Sequence, residues 1–238
     1  MDLARHGWVT LPAIAVDSLM NFYMLCIALG AEPFTEEGRV VSRKIGVAAL
    51  GHLRELVNLC APTCLDRNPI TTYEVMTTTD DIVYCPFAYG YSNYARPGYA
   101  RSELRFGRLV SFDGQRLRST LAGTGLAISS HSRHLEHAVD YARFVAQPNC
   151  QRGLFFTSGG QPSHRSAWED VQVNAASNDF FKDTLQTLDE AYLRPRYDGY
   201  LQFQDEAGSL IHHYLVAGGD PRAVMDQLED LRERSRRS

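Results

Sequence analysis

The sequence contains no long hydrophobic run. No stretch of about eighteen consecutive apolar residues occurs in its 238 residues, so the pattern of a transmembrane helix is missing. The N-terminal stretch MDLARHGWVTLPAIAV also lacks the charged segment, apolar segment and small-residue cleavage site of a secretion signal. From this pattern we expect the chain as given to stay in the cytoplasm, or to be a mature form or a fragment.

An excess of positive charge is missing as well. The 24 lysines and arginines are outnumbered by 28 aspartates and glutamates, giving a net charge of −4. A nucleic-acid-binding surface is therefore not expected, and the basic C-terminal stretch RERSRR is interpreted as a solvated helix end. With 44% hydrophobic and 22% charged residues, the composition predicts a globular protein of one large domain or two small lobes.

Cysteine is scarce and its count is odd. Only Cys60 and Cys64 lie close together, and no second pair has the spacing of a tetrahedral zinc site. Two interpretations remain open for this pair: a disulfide in an oxidising compartment, or two small buried thiols. The five cysteines are Cys26, Cys60, Cys64, Cys85 and Cys150.

Signatures of catalysis and nucleotide binding are also missing. The sequence has no nucleophile elbow, no phosphate-binding Gly-x-x-x-x-Gly-Lys loop and no His-Glu-x-x-His. His212 and His213 are adjacent in a helical pattern, where neighbouring side chains face apart, so they are not expected to bind one metal ion together. Asp80 and Asp81 are adjacent before a predicted strand, where neighbouring side chains point to opposite faces, so a shared acid–base role is not expected. The sequence therefore predicts no catalytic residue, no metal and no cofactor.

Helical periodicity is present in several segments. DSLMNFYMLCIALG predicts a helix with Asp17 as N-cap and Gly30 as C′ residue. SRHLEHAVDYARFVAQP predicts an amphipathic helix that ends before Pro148. The last helix is predicted to begin with Asp220 as N-cap and Pro221 at the first position. Other predicted helices cover residues 45–59, a short segment at 70–76, and residues 177–192, 199–216 and 221–235.

Short apolar stretches predict strands. They are GWVTLPAIAV at 7–16, IVYCPF at 82–87, LRFGRLVSF at 104–112 and TGLAIS at 124–129. Strands and helices therefore alternate, and extra helices follow at the C-terminal end. This order predicts an α/β fold with a helical C-terminal portion.

Polar and aromatic residues concentrate in three segments outside the long helices. They are YCPFAYGYSNYARPGY at 84–99, GGQPSHRSAW at 159–168 and RPRYDGYLQFQ at 194–204. Tyrosine and tryptophan offer a flat apolar face and a polar group, and amide and charged side chains add hydrogen bonds. Such a set suits a ligand with many hydroxyl groups, such as a sugar. The alternative, that the tyrosines fill a core, stays open at this point.

Residues 123–168 resemble a known family. The segment contains a Gly-rich turn and a short strand (Gly123 to Ser129), the helix AVDYARFV, Gln151 and the turn GGQP. This order resembles the family-1, sugar-binding group of ABC-transporter extracellular solute-binding proteins, the maltose-binding-protein-like group. TTDDIVYCPFAYGYSNYAR stands where that family has a cleft-lining strand, and RPRYDGYLQFQDEAGSLIHHYL where it has a late ligand-facing loop and helix.

The resemblance implies a periplasmic-binding-protein-like α/β fold of type II, with two lobes joined by crossing segments. It assigns residues 1–122 to the C-terminal lobe, 123–163 to the return segment of the N-terminal lobe, and 164–238 to C-terminal-lobe helices. It further implies that the first part of the N-terminal lobe and a secretion signal are absent. A full-length parent is then expected to be periplasmic, or extracellular and lipid-anchored.

The resemblance also implies a ligand site. An aromatic platform falls near Phe87, Tyr89 and Tyr91, where the family's usual tryptophan is replaced by phenylalanine or tyrosine. One lobe crossing falls at Gly123 and Thr124. The full set of expected ligand-binding residues is Phe87, Tyr89, Tyr91, Asn93, Gly123, Thr124, Gln161, Arg196, Tyr197, Tyr200 and Phe203.

The expected function is that of a monomeric substrate-binding subunit of an ABC importer. It would bind a sugar or similar small polar solute and deliver it to membrane permease subunits, without catalysis. Two alternatives remain: a cytoplasmic interaction domain, or a carbohydrate-active enzyme. The enzyme would use two carboxylates as acid and base, chosen from Asp80, Asp81, Asp198 and Glu206.

The resemblance makes one prediction about packing. The helix at 132–146 would place Leu135, Ala138, Val139 and Phe144 against strands that the chain does not contain. We therefore expect an exposed apolar patch there and a marginally stable chain.

Overall fold

The computed structural model describes residues 1–36, 38–112 and 114–236. Its contacts divide the chain into two compact units. The first unit contains Met1–Tyr89, Leu109–Leu121 and Glu190–Ser238, and the second contains Gly90–Arg108 and Ala122–Asp189. The assignment of residues 1–122, 123–163 and 164–238 to lobes stays a prediction.

Helices make up most of the secondary structure of the described residues. The helices of the N-terminal half are α1 (Asp2–Arg5), α2 (Ala15–Ala28), α3 (Arg43–Leu59) and α4 (Pro69–Thr78), with 3₁₀ turns at Pro62–Asp66 and Ser92–Ala95. Those that follow are α5 (Leu135–Ala146), α6 (Pro148–Cys150), α7 (Arg165–Trp168), α8 (Val171–Ala175), α9 (Phe180–Asp189), α10 (Tyr200–Ala217) and α11 (Pro221–Ser235). A π-helical turn covers Gln151–Phe155. None of the helices in the described residues is sufficiently long and apolar to cross a membrane.

The core of the first unit forms where α2 packs on α3 and α10. Phe22, Tyr23 and Cys26 of α2 are fully buried, which fits a helix that is apolar on most of its surface. Gly208 allows α10 to approach α2 closely, because a Cβ there would lie 2.7 Å from the carbonyl oxygen of Ala15.

The predicted ends of α2 and the predicted start of α11 can be compared with those in the structure. Helix α2 begins earlier than predicted, with Ile14 at the N-cap, so Asp17 lies in the first turn and the N-cap prediction is wrong. Gly30 follows the C-cap with a φ of +95°, which confirms it as the C′ glycine. The start of α11 is also confirmed, because the Asp220 side chain accepts a hydrogen bond from the Arg222 amide and Pro221 occupies the first turn.

The second unit has a small aromatic core. Trp168 packs against Phe181 with ring centroids 5.0 Å apart, and its Nε1 donates to the carbonyl oxygen of Pro162 at 2.8 Å. The Asp170 carboxylate caps α8 by accepting from the amides of Gln172 and Val173. The buried residues of this core are Ala95, Phe156, Trp168, Val173, Phe180 and Phe181.

The strand predictions are largely wrong for the described residues. Only a two-residue antiparallel pair is present, β1 (Ser111–Phe112) with β2 (Gln115–Arg116), besides isolated parallel bridges at Val9–Tyr84 and Thr120–Tyr192. The predicted strands at 7–16 and 82–87 thus meet at one bridge. Prolines 12 and 86 lie in these two segments, and a proline cannot donate to a ladder.

Candidate functional site

The loop that follows Gly90 is anchored to the turn around Gln161 in the second unit. Gln161 accepts a hydrogen bond from the Ser92 amide through Oε1 at 2.9 Å and donates from Nε2 to the Gly90 carbonyl at 3.1 Å. Gly90 itself lies close to the Phe180 ring, where a Cβ would approach to 3.1 Å. One amide side chain therefore fixes the position of the loop at two points.

Arg96 holds the end of this loop. Its guanidinium donates to the carbonyl oxygens of Phe156 and Gly160, each at 2.8 Å, and lies 4.0 Å above the Phe156 ring. Burial lowers the pKa of Arg96 from its ordinary value. Two charge-assisted hydrogen bonds and a cation–π contact together make this a rigid connection.

Two polar atoms in the loop are buried without a hydrogen-bond partner in the described part of the chain. They are the Ser92 hydroxyl oxygen and Asn93 Oδ1. A buried unpaired acceptor is costly, and such groups call for an explanation, for example a ligand that supplies a donor. The half-buried Tyr91 lies two residues before Asn93. The structure therefore brings three of the expected ligand residues, Tyr91, Asn93 and Gln161, into one loop and its anchor.

The residues of the expected aromatic platform differ in their exposure to solvent. Phe87 belongs to the core of the first unit and is 4% exposed, whereas Tyr89 is 38% exposed. The Tyr73 hydroxyl donates to the Tyr89 carbonyl oxygen at 2.9 Å, which fixes the backbone at that point. No strand is assigned at residues 87–91 among the described residues. Without strand pairing, nothing holds this backbone in the extended form that would place the rings of residues 87, 89 and 91 on one face.

Three expected late-loop residues pack around Phe34. The rings of Tyr197, Tyr200 and Phe203 have centroids 6.4, 6.1 and 5.5 Å from that of Phe34. Tyr200 and Phe203 are 5% and 1% exposed, so in this structure both rings fill core space. Phe34 has a left-handed φ of 63°, which is strained for a residue with a Cβ. Sequence reasoning missed Phe34, because no local pattern in the sequence connects it with the aromatic residues of α10.

The remaining expected residues are accessible. Arg196 is exposed on the loop before α10, and Tyr197 is half-buried, with its ring 5.5 Å below the Arg236 guanidinium. Gly123 and Thr124 lie in an exposed extended segment. All four stay predicted ligand contacts.

The carboxylates of the enzyme alternative have ordinary surroundings. Asp80, Asp81 and Asp198 are exposed. Glu206 pairs with Arg234 at 3.2 Å and accepts from Gln202 at 2.9 Å. No cluster of three or more potential metal ligands occurs in the residues that the structure describes.

Another acidic group is perturbed and was missed as such. Burial raises the pKa of Asp17 to about 6, and its Oδ2 has no hydrogen-bond partner in the described residues. Burial also raises the pKa of Cys60 to about 12, with the neighbouring Cys64 as a smaller cause. All five cysteines are free, which favours the buried-thiol interpretation.

No family model matches the chain. Among solved structures, the maltose-bound MalE3 of T. maritima is similar over 94% of this chain and 60% of its own, with a TM-score of 0.80 and 18% identity. A solute-binding protein of an ABC transporter from Agrobacterium radiobacter K84, in complex with ribitol, is similar over 100% of this chain and 61% of its own (TM-score 0.77, 15% identity). A solute-binding protein of an ABC transporter from Thermotoga lettingae TMO, bound with α-D-tagatose, is similar over 100% of this chain and 60% of its own, with a TM-score of 0.75 and 15% identity.

These likenesses define the class of fold. The chain has a helix-rich α/β fold of the periplasmic-binding-protein kind, which confirms the predicted fold class. It spans about three fifths of the length of the proteins that it matches. The descriptions of the three neighbours name a bound small molecule, and two of them name a solute-binding protein of an ABC transporter.

Proposed function

We propose that this chain is part of a substrate-binding subunit of an ABC importer, and that it binds a sugar or a similar polyhydroxylated solute. The neighbours with this fold bind maltose, ribitol and tagatose. These molecules share many hydroxyl groups and apolar CH faces. A solute of this class is therefore the natural first hypothesis for a chain with the same fold.

The single observation that carries the proposal is the anchored loop at residues 90–96. Asn93 Oδ1 is a buried acceptor without a partner in the described residues, and a solute hydroxyl can donate to it. The half-buried Tyr91 supplies an aromatic face on which a sugar CH face can stack. Gln161 and Arg96 hold this loop in place before the solute arrives, and such preorganisation lowers the entropic cost of binding.

The other accessible residues belong to the proposal as further contacts. Tyr89, Arg196, Tyr197, Gly123 and Thr124 are assigned to solute binding by resemblance. Phe87, Tyr200 and Phe203, which are buried, support the first unit's core and act on binding through packing.

The proposed partner is the membrane permease of the importer, to which the solute-loaded form docks. In a full-length parent the protein acts as a monomer in the periplasm, or outside the cell on a lipid anchor. It performs no chemistry and needs no cofactor. Closure on the solute is the conformational step that the permease recognises.

The site is tested with Asn93→Ala. Removal of the acceptor loses one hydrogen bond, and the affinity for the solute should fall about tenfold. Asn58→Ala is the matched control, because Asn58 is exposed on α3. Affinities are measured by NMR titration with ribitol, maltose and tagatose. Equal affinity of Asn93→Ala and the unmodified chain would rule out the loop as the site.

A further inference from the structure

Phe34 is enclosed by aromatic rings of the first unit. Three rings meet that of Phe34 edge to face, with interplanar angles of 81°, 77° and 86°, and a fourth ring is tilted at 51°. These four rings are named the Phe34 box and belong, in that order, to Tyr23, Tyr200, Phe203 and Tyr197. One phenyl ring therefore fills a space whose walls are aromatic.

Two hydroxyl groups of the box are buried and lack partners. Tyr23 and Tyr200 are 0% and 5% exposed, and neither hydroxyl has a partner at hydrogen-bonding distance in the described part of the chain. The Tyr197 hydroxyl, by contrast, lies 3.0 Å from Ser235 Oγ. Burial, followed by the nearby Tyr200, raises the pKa of Tyr23 well above its ordinary value.

These two hydroxyls cannot satisfy each other fully. A bond between them would use only one of their two hydrogens, so one donor and several lone pairs stay without a partner. Buried polar groups of this kind call for an explanation, for example a ligand that supplies the missing partner.

The backbone strains to hold Phe34 in the box. Its φ of 63° lies in the left-handed region, which favours glycine. The turn that carries it is closed by a hydrogen bond from the Phe34 amide to the Val40 carbonyl oxygen at 2.7 Å. The described residues between these two are all exposed: Thr35, Glu36, Gly38 and Arg39. Release of the ring relieves this strain, so a ligand that restores the ring contacts can replace it.

The walls of the box select the chemistry of such a ligand. A sugar ring carries several hydroxyls, and most of them would lose their hydrogen bonds to water between aromatic rings. A benzene ring with one hydroxyl reproduces the contacts of Phe34 and adds one partner for Tyr23 and Tyr200. Phe34 and Tyr197 are half-buried, so the box reaches the surface at these two rings.

We propose that the Phe34 box binds a small phenol, whose ring takes the place of the Phe34 ring and whose hydroxyl bonds to the hydroxyls of Tyr23 and Tyr200. Phe34 is then an internal competitor, and it weakens the measured affinity in proportion to the fraction of molecules in which the box is free. The site lies within the first unit. It does not depend on the solute proposed for the loop at residues 90–96.

NMR of the unmodified chain with phenol gives the first test. Phe203 is 1% exposed, so phenol contacts its ring only by replacing Phe34. We expect nuclear Overhauser effects between phenol and the Phe203 ring, and a weaker effect between Phe34 and Phe203. Ribitol, which has hydroxyls and no ring, should give neither change. Absence of a phenol signal at Phe203, or phenol binding that leaves the Phe34–Phe203 effect intact, would overturn the proposal.

The second test removes the competitor with Phe34→Gly. Glycine adopts a φ of 63° without strain, so the turn should keep its path while the ring is lost. The affinity for phenol should rise at least about tenfold. Phe112→Gly is the control, because Phe112 is a half-buried ring of the same unit, and it should not change this affinity. An affinity of Phe34→Gly that is equal to or below that of the unmodified chain would contradict the proposal.

The third test concerns the two hydroxyls. Addition of Tyr23→Phe and Tyr200→Phe to Phe34→Gly should lower the ratio of phenol affinity to benzene affinity about fivefold, because one hydrogen bond is lost. Tyr214→Phe on the same helix α10, added instead, is the control and should leave the ratio unchanged. Circular dichroism and melting check that each variant is folded. An unchanged ratio without the two hydroxyls would show that the box is apolar core alone, and the proposal would fail.

Discussion

At the scale of single residues, Asp17 shows how burial makes a group sensitive to pH. The folded chain raises its pKa from 3.8 to about 6, because burial penalises the carboxylate. The folded state therefore binds the proton more tightly than the unfolded state between these two values. The contribution of this group to stability is fully present below the lower pKa and is lost as the pH rises through the higher one.

This gives a pH-dependent prediction for Asp17→Asn. The variant removes the charge that is costly to bury, so it should be more stable than the unmodified chain at pH 7, and the difference should shrink as the pH falls towards 4. Thermal unfolding of both proteins at several pH values measures this difference in stability. Asp80→Asn, at an exposed position, is the control. A difference in stability between Asp17→Asn and the unmodified chain that does not change with pH would contradict the raised pKa of Asp17.

At the scale of elements, the crossing of α2 and α10 depends on one glycine. A Cβ at Gly208 would lie 2.7 Å from the Ala15 carbonyl oxygen, and backbone cannot move aside as a side chain can. The two helices must therefore separate to accept even a methyl group.

We expect Gly208→Ala to lower the free energy of unfolding by about 1–3 kcal/mol through this overpacking. Gly51→Ala in α3 is the matched control, since a Cβ there meets nothing within 4 Å. The control should raise stability by about 0.5–1 kcal/mol, because alanine favours helix more than glycine does. Urea unfolding of both variants provides the comparison, and equal effects would show that helix propensity alone operates at Gly208.

The helices could be predicted from sequence and the strands could not. A helix satisfies its hydrogen bonds within itself, so apolar spacing and caps such as Asp220 and Gly30 suffice to locate it. A strand exists only with a partner. The TGLAIS segment has the right residues but pairs with no strand in the described part of the chain, and the segments at 7–16 and 82–87 share a single bridge.

Part of the candidate site could be predicted from residue type, but which of its aromatic residues are buried could not. Residue type indicated Tyr91, Asn93 and Gln161, whose positions are set by contacts near in space. Residue type could not separate Tyr200 and Phe203, buried against Phe34, from accessible aromatic residues such as Tyr89. Burial depends on distant residues, here Phe34, that no local pattern connects to α10.

At the scale of the whole molecule, the two units have unequal cores. The first has a large core built on α2, α3 and α10, whereas the second has the small aromatic core around Trp168 and leaves α5 without a buried residue. Stability follows buried apolar surface, so the second unit should be the weaker one.

The two tryptophans allow this difference to be measured. Trp8 belongs to the first unit and is 45% exposed, and Trp168 is buried in the second. In Trp8→Phe, fluorescence reports Trp168 alone, while circular dichroism reports mostly helices of the first unit. We predict that fluorescence changes at a lower urea concentration than circular dichroism does. Coincident transitions would show a single cooperative unit and contradict the prediction.

The central claim is that this chain carries a binding surface for polyhydroxylated solutes. Saturation-transfer difference NMR tests it most directly, because it detects binding at Kd values of about 1 mM, which suits a chain spanning three fifths of its neighbours' length. With ribitol, maltose and tagatose, we predict saturation transfer to the CH protons of at least one solute and a marked loss in Asn93→Ala. No transfer to any of the three from the unmodified chain would contradict the account.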